Sequence, residues 1–304
     1  MKAIIPVAGY GTRLKPHTDR YQKTLLPVAG KPALDLILEP LFDAGITDIT
    51  FIVGHLKEQV IDHMKKYDGK FSFIEQKERL GLGHAVLTGL ENNDEPVLVQ
   101  LGDTIFDIDY DEFCSSTNNV IGVIEVDDPS RFGVVELKND KVVNFYEKHP
   151  NPPSNLAISG LYYFSRENKL KLAIEELVKR DIRTNSEYQI TDALQIMVKQ
   201  GEDFSVFSTP NYYDVGVPES FLYSNRKLLI TNHDKFHSSK FIEPVYVGSN
   251  CNIENSIVGP FVTIMENCTI LNSKVEDSII LKNSNITDQQ IISKIAAKDG
   301  NDIC

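Results

Sequence analysis

The densest chemical signal in the chain is Gly9-Tyr10-Gly11-Thr12-Arg13-Leu14, with Lys23 following shortly after. Two glycines directly after an apolar run let backbone N–H groups close on an anion, and Arg13 and Lys23 add fixed positive charge. The chemistry this suits is the cradling of phosphate. A plain tight turn is the competing reading of an isolated Gly-x-Gly. A dinucleotide loop is disfavoured because Leu14 stands where the third glycine would be, and a Walker loop because no Gly-Lys-Ser/Thr follows. Two carboxylates lie beside or near glycines further on, Asp103 in Leu101-Gly102-Asp103-Thr104 and Asp214 in Tyr213-Asp214-Val215-Gly216. Either alone reads as a turn former or helix cap.

Such groups need a scaffold, and the apolar pattern supplies one. Ala3 to Val7 is a short apolar run ended by Gly9 and Gly11, and Pro32 opens an amphipathic stretch from Ala33 to Ala44 that stops at Gly45. This predicts strand, loop, helix. The pattern recurs as Ile49 to Val53 before a helix near Lys57 to Tyr67, Phe71 to Ile74 before Gly83 to Asn92, and then Val97 to Leu101. Strands alternating with helices imply a parallel sheet with covered faces, and ligands gather beyond the carboxyl ends of its strands. The Gly9 to Leu14 loop and Gly102-Asp103 both fall there.

From about Phe241 the texture changes. Val247, Ile253, Val258, Ile264, Ile270, Val275, Ile280 and Ile286 recur every five or six residues among Gly, Asn, Ser and Pro. Such a period predicts a parallel β-helix in which each short strand buries one apolar side chain. Cys251 and Cys268 lie 17 apart, about one coil, and read as small stacked core residues, with a disulfide the lesser alternative. The expected plan is an α/β domain over 1–236, hexapeptide repeats over 237–290 and a C-terminal tail over 291–304.

The 304 residues carry a net charge of −12, which argues against nucleic acid or anionic membrane as main partners. With 41% hydrophobic and 24% charged residues the composition is that of a soluble globular chain, long enough for one large domain or two smaller ones. No signal peptide opens the sequence, and no stretch approaches the roughly 18 apolar residues of a membrane span, so a cytoplasmic protein is expected. The four cysteines form no Cys-x-x-Cys pair, which leaves reduced thiols and no zinc site as the expectation.

Ala8 to Pro32 resembles the signature of the sugar-1-phosphate nucleotidyltransferases, of the form Ala-Gly-x-Gly-Thr-Arg-Leu-x-Pro-x-Thr followed by Pro-Lys-x-Leu-Leu-Pro-Val-Ala-Gly-Lys-Pro. One departure is Gln22, where the family has Pro. Gln76 ahead of Gly81-Leu-Gly-His-Ala-Val86 is similar to the base-reading segment of members that use a pyrimidine. An amide offers the donor and acceptor that the edge of uracil or thymine demands, whereas a solvated strand end is the plainer reading of a lone Gln. His84 reads as a helix-start or packing residue, since this chemistry needs no histidine base. Asp107 and Asp109 are assigned to the loop surface. Arg131-Phe-Gly-Val-Val-Glu136, Glu147-Lys148-His149, Ser154 to Phe164, Glu187-Tyr-Gln-Ile-Thr-Asp192 and Asp214-x-Gly-x-Pro-Glu219 resemble further family segments in the required order, with His149 in place of a Pro. Taken alone, Glu147 and Lys148 read as a solvated charge pair.

The resemblance implies an α/β fold: a Rossmann-like mixed, mostly parallel sheet with helices on both faces, followed by a short left-handed parallel β-helix. It implies nucleotide binding by Ala8, Gly9, Gly11, Thr12, Arg13, Gln76, Gly81 and Asp103, and sugar-phosphate binding by Gly133, Glu147, Lys148, Gly160 and Glu187. Mg²⁺ would sit on Asp103 and Asp214, and Arg13, Lys23 and Asp103 would be the catalytic residues. In the implied reaction a hexose-1-phosphate, glucose-1-phosphate on family grounds, attacks the α-phosphorus of dTTP or UTP and pyrophosphate leaves. The attacking phosphate is already ionised, so catalysis reduces to alignment and charge neutralisation. Arg13 would meet the β- and γ-phosphates, Lys23 the α-phosphate and Lys148 the sugar phosphate.

Three other readings compete. A regulatory subunit that senses nucleotides or sugar nucleotides would be expected to have lost Arg13, Lys23 or a metal carboxylate, and all are kept. A transferase using GTP and mannose-1-phosphate is disfavoured by Gln76 and Gly81. An acyltransferase β-helix would need a histidine base, and none follows His237. The short β-helix is instead expected to cap the domain or to assemble a homo-oligomer.

Overall fold

The computed structural model describes residues 1–139, 141–233, 236–300 and 302–304. They fall into two compact units, Met1–Gly9 with Leu38–Tyr212, and Tyr10–Ile37 with Tyr213–Cys304. The sequence plan assigns residues 10–37 to the α/β domain; by packing they group with the carboxy-terminal coils. The expected boundary at 236 adjoins residues 234 and 235, which lie outside the described residues.

In the first unit, Lys2–Pro6 pairs in parallel with Asp48–Val53 on one side and Val97–Gln100 on the other, and Asp48–Val53 pairs in parallel with Lys70–Glu75. Ala3, Ile4 and Ile5 are all fully buried, as an uninterrupted apolar run in a doubly covered sheet requires. Beyond Val97–Gln100 the sheet turns antiparallel through Leu156–Phe164, which also pairs with Asn119–Glu125 and Gly133–Lys138. Lys141–Glu147 forms a hairpin with Gly133–Lys138, and Phe204–Ser208 lies parallel to Asn119–Glu125. The result is a mixed sheet of nine strands among the described residues.

Successive side chains of a strand leave by opposite faces, so each face needs its own cover. Ile4, Ile52, Val97 and Val99 share a core with Val86 of the helix Leu82–Gly89, Leu170 and Ile174 of Glu167–Lys179, and Leu194 and Met197 of Ile190–Lys199. On the other face Phe51 stacks on Phe73 with ring centroids 5.5 Å apart, and Phe71 meets Phe42 of the helix Ala33–Asp43 at 6.2 Å. Helices therefore cover both faces. No helix among the described residues is long and apolar enough to cross a membrane.

In the second unit the repeat builds three parallel ladders. Along one, Val245–Val247, Val262–Ile264, Ile279–Ile280 and Ile295–Ala297 stack in register. All eight apolar positions of the period, Val247 through Ile286, are buried in one shared core. The corners suit asparagine, which tolerates left-handed backbone: Asn250, Asn267 and Asn283 have φ of 57°, 59° and 59°, and their side chains join in a ladder of 3.3 Å hydrogen bonds. All four cysteines are free thiols. Burial pushes the Cys114 thiol up to about 12. Cys251 Sγ donates to the Met265 carbonyl at 3.1 Å and Cys268 Sγ to the Leu281 carbonyl at 3.2 Å, equivalent contacts on adjacent coils.

The expected tail over 291–304 is corrected by the ladders. Gln290–Ile292 pairs in parallel with Lys274–Glu276, and Ile291, Ile295 and Ala296 are buried, so another coil follows Ile286. Within this unit the 10–37 segment is seated on the coils. The Ala29 N–H donates to Asn225 Oδ1 at 2.9 Å, which also accepts from Thr263 Oγ1 at 2.7 Å. Gly30, at φ 87°, lies so close to Tyr246 that an added Cβ would stand 2.6 Å from its ring. Gly30→Ala is therefore expected to cost about 1–3 kcal/mol of stability through overpacking and backbone strain. Urea denaturation of the variant checks this, and an unchanged midpoint would contradict it.

Candidate active site

The first unit places Ala8, Gly9, Gln76 and Asp103 just beyond the carboxyl ends of its parallel strands. Lys2–Pro6 leads to Ala8 and Gly9, and Val97–Gln100 leads to Asp103. The Gly102 N–H donates to the Pro6 carbonyl at 3.3 Å, and a Cβ on Gly102 would meet Val7 at 2.5 Å. The backbone that carries half-buried Asp103 is thus held beside the point where the chain enters the phosphate-loop sequence. Asp107 and Asp109 are exposed, and Asp109 caps the turn Tyr110–Phe113 through a 2.9 Å bond from the Glu112 N–H.

Gln76 follows the strand Lys70–Glu75, and its Nε2 donates to the Gly81 carbonyl at 3.3 Å. Gly81 has φ 110°, and a Cβ there would stand 2.8 Å from both the Glu187 Cβ and the Tyr188 N. Two backbone hydrogen bonds lock this approach: the Gly83 N–H donates to the Tyr188 carbonyl at 2.8 Å, and the Tyr188 N–H to the Leu80 carbonyl at 2.7 Å. The segment expected to read a base is therefore bonded directly to the segment expected to hold a sugar. His84 lies on the helix that follows; its Nδ1 is buried with no hydrogen-bond partner.

Some of the segments expected to hold the sugar also meet, at Gly133, Glu147 and Thr191. A Cβ on Gly133 would meet Thr191 Oγ1 at 2.7 Å and Glu147 Oε2 at 3.1 Å, so glycine leaves room beside a carboxylate. Burial pushes the Glu147 carboxyl above its ordinary range, partly offset by a hydrogen bond with Thr191 and by Lys148, whose Nζ lies 3.6 Å from Glu147 Oε1. Asp192 is raised by burial too and accepts from Thr184 Oγ1 at 2.9 Å. Glu187 Oε2 accepts from Gln189 Nε2 at 2.8 Å. His149, in place of the expected Pro, accepts the Asn151 N–H on Nδ1 at 3.2 Å and so closes the turn after Lys148. At Gly160 the direction a side chain would take is filled by Leu101, 2.6 Å from an added Cβ, so the glycine there serves strand packing.

The second unit holds the other residues. Gly11 precedes the short turn Thr12–Leu14, and Thr12 and Arg13 are exposed on it. The Thr18 hydroxyl donates to the Gly11 carbonyl at 2.8 Å, and a Cβ on Gly11 would stand 3.1 Å from the Lys23 Cβ. Gln22 is buried, and its Oε1 accepts from both the Thr24 N–H and the Thr24 hydroxyl at 2.6 Å. That cap fixes the turn Lys23–Leu25 at the position where the family signature has Pro. Asp214 Oδ1 accepts from the Gly216 N–H at 2.9 Å, and the Asp214 carbonyl accepts from Ser224 Oγ at 2.8 Å.

Sequence reasoning missed Thr191, Asp192 and Thr184, which surround Glu147 and the end of the Glu187 segment. Thr191 and Asp192 lie inside the quoted Glu-x-x-Ile-Thr-Asp string, so the signal was present; their link to Glu147 spans two distant segments and was not.

A mixed α/β sheet with these residues around its strand ends has a recognised class. The Nucleotidyl transferase family matches residues 2–230, and the chain belongs to that family. It is 34% identical to the bifunctional protein GlmU of Methanocaldococcus jannaschii over 94% of this chain and 74% of that one. It is 32% identical to the glucose-1-phosphate thymidylyltransferase of Streptomyces antibioticus over 94% of this chain and 89% of that one. Among solved structures, UDP-glucose pyrophosphorylase complexed with UDP-glucose superposes with a TM-score of 0.64 at 26% identity, covering 74% of this chain and 97% of that one.

The raised Glu147 carboxyl yields a signed prediction. Between the unfolded value near 4.5 and the higher folded value, the folded state holds more protons, so this group's contribution to stability is present below that window and falls as pH rises through it. Glu147→Gln should therefore gain stability relative to wild type on going from pH 4 to pH 7. Parallel denaturation curves across that range check it, and a constant difference would contradict it.

Proposed function

We propose that this protein transfers a nucleoside monophosphate from dTTP or UTP to a hexose-1-phosphate, with glucose-1-phosphate the preferred sugar, and releases pyrophosphate. The observation that carries the reading is the pair of backbone hydrogen bonds joining the Gly81 segment to Tyr188. An enzyme that makes a nucleotide sugar must hold a base and a sugar at one fixed separation, and a junction of this kind would supply it. The Gln76 amide beside Gly81 supports a pyrimidine, and thymidylyl transfer and UDP-glucose in the names of relatives point the same way.

Charge neutralisation is the remaining requirement, because two polyanions must meet. Arg13 and Lys23 on the capped loop would take the triphosphate, and Lys148 the sugar phosphate. Asp103 and Asp214 belong to different units, and their pairing as Mg²⁺ ligands rests on the family segments. The donor set suits that ion, since carboxylate oxygens are hard ligands. Mg²⁺ keeps waters and substrate phosphates in its shell, and when bound it would offset phosphate charge. The Glu147 carboxylate, beside the Thr191 hydroxyl, would accept hydrogen bonds from sugar hydroxyls.

Pyrophosphate release with Mg²⁺, glucose-1-phosphate and each of dTTP, UTP, CTP, GTP and ATP tests the reading. Release is expected with dTTP or UTP and should fall by about a hundredfold or more in Asp103→Asn at an unchanged melting temperature. Near-normal turnover in that variant would remove the metal assignment. Lys148→Ala should raise the KM for the sugar phosphate by roughly tenfold or more while sparing the nucleotide KM. The reverse pattern in the same assay would contradict its role.

A further inference from the structure

The loop that carries Arg13 and Lys23 is tied to the other end of the chain. His17 and Thr18 are 2% and 1% exposed, and His17 Nε2 lies 2.9 Å from the carbonyl oxygen of Ile295. A carbonyl only accepts, so Nε2 must carry the proton. Ile295 opens the strand Ile295–Ala297, which is paired in parallel with Ile279–Ile280 and clamped from the other side by reciprocal backbone bonds with Cys304 at 3.0 and 3.1 Å. The acceptor is therefore a fixed point of the last coil. From His17 the constraint passes to its neighbour Thr18, whose hydroxyl holds the Gly11 carbonyl, and Gly11 in turn abuts Lys23.

We propose that His17 is a positioning residue: its hydrogen bond to the last coil of the β-helix holds the Gly11 to Lys23 loop in the shape that receives the triphosphate. This rests on the nucleotidyl-transfer reading above. It gives the coils a role in nucleotide affinity, and it places the coil that the sequence reads as a tail within that role. The donor is buried, so a side chain of similar size without an N–H would lose the tether and leave the loop to relax.

Two variants and one measurement on the unaltered protein test it. His17→Met keeps volume and removes the donor, whereas His17→Gln presents an amide Nε2 at a similar reach. His17→Met is expected to raise the nucleotide KM by about tenfold, to leave the sugar-phosphate KM within about twofold, and to speed amide exchange over residues 10–24; His17→Gln should restore most of each. An unchanged nucleotide KM in His17→Met would overturn the proposal, as would equal shifts in both KM values with no rescue by Gln. Long-range ¹H–¹⁵N correlation on the wild type needs no variant to fold: it must show the Nε2–H tautomer, and Nδ1–H would overturn the proposal. If the wild type transfers no nucleotide at all, the functional reading fails by itself, and the exchange and tautomer results still decide whether the tether exists.

Discussion

The close approach of the Gly81 backbone to Tyr188 is the constraint on which the candidate site depends. Neither segment could reach the other with a side chain in the way, since a Cβ at Gly81 would stand 2.8 Å from the Tyr188 N. With it absent, main-chain bonds of 2.8 and 2.7 Å take over and fix the separation without any flexible side chain. Gln76 then adds its amide to the Gly81 carbonyl, and Thr191, a little further along the Tyr188 segment, meets Glu147. Rigidity of this kind suits a reaction whose catalysis is alignment.

The second unit answers a different need. On the proposed reading, a chain with a net charge of −12 would present cations to a triphosphate from the short Gly11 to Lys23 loop. The loop is held by capping at Gln22, by Asn225 and Tyr246 near its end, and by His17 against the last coil. The β-helix, whose own core needs only one apolar residue per short strand, is a stiff platform for such a loop.

Much of this was legible in the sequence because periodicity reports burial. The alternation of apolar runs with amphipathic stretches marked the four parallel strands from Lys2–Pro6 to Val97–Gln100, and the five-to-six-residue spacing marked the inner positions of the coils one by one. The antiparallel half of the sheet was not marked, since several of its strands follow one another without helices between them. The last coil was missed because Ile291 and Ala296 continue the period among lysines and an alanine, where the hydrophobic contrast is weak. At the site, the family segments supplied residues but not their neighbours. That Leu101 occupies the space at Gly160 and that Thr191 turns toward Glu147 are matters of tertiary packing.

The most direct test of the central claim is steady-state kinetics of Gly81→Ala with both substrates varied. If one rigid junction serves base and sugar, the added methyl must displace Tyr188 and Glu187 together, and the KM values for nucleotide and for sugar phosphate should rise in parallel. A variant that loses nucleotide affinity while binding sugar phosphate as the wild type does would show the two segments to be independent, and would contradict the account.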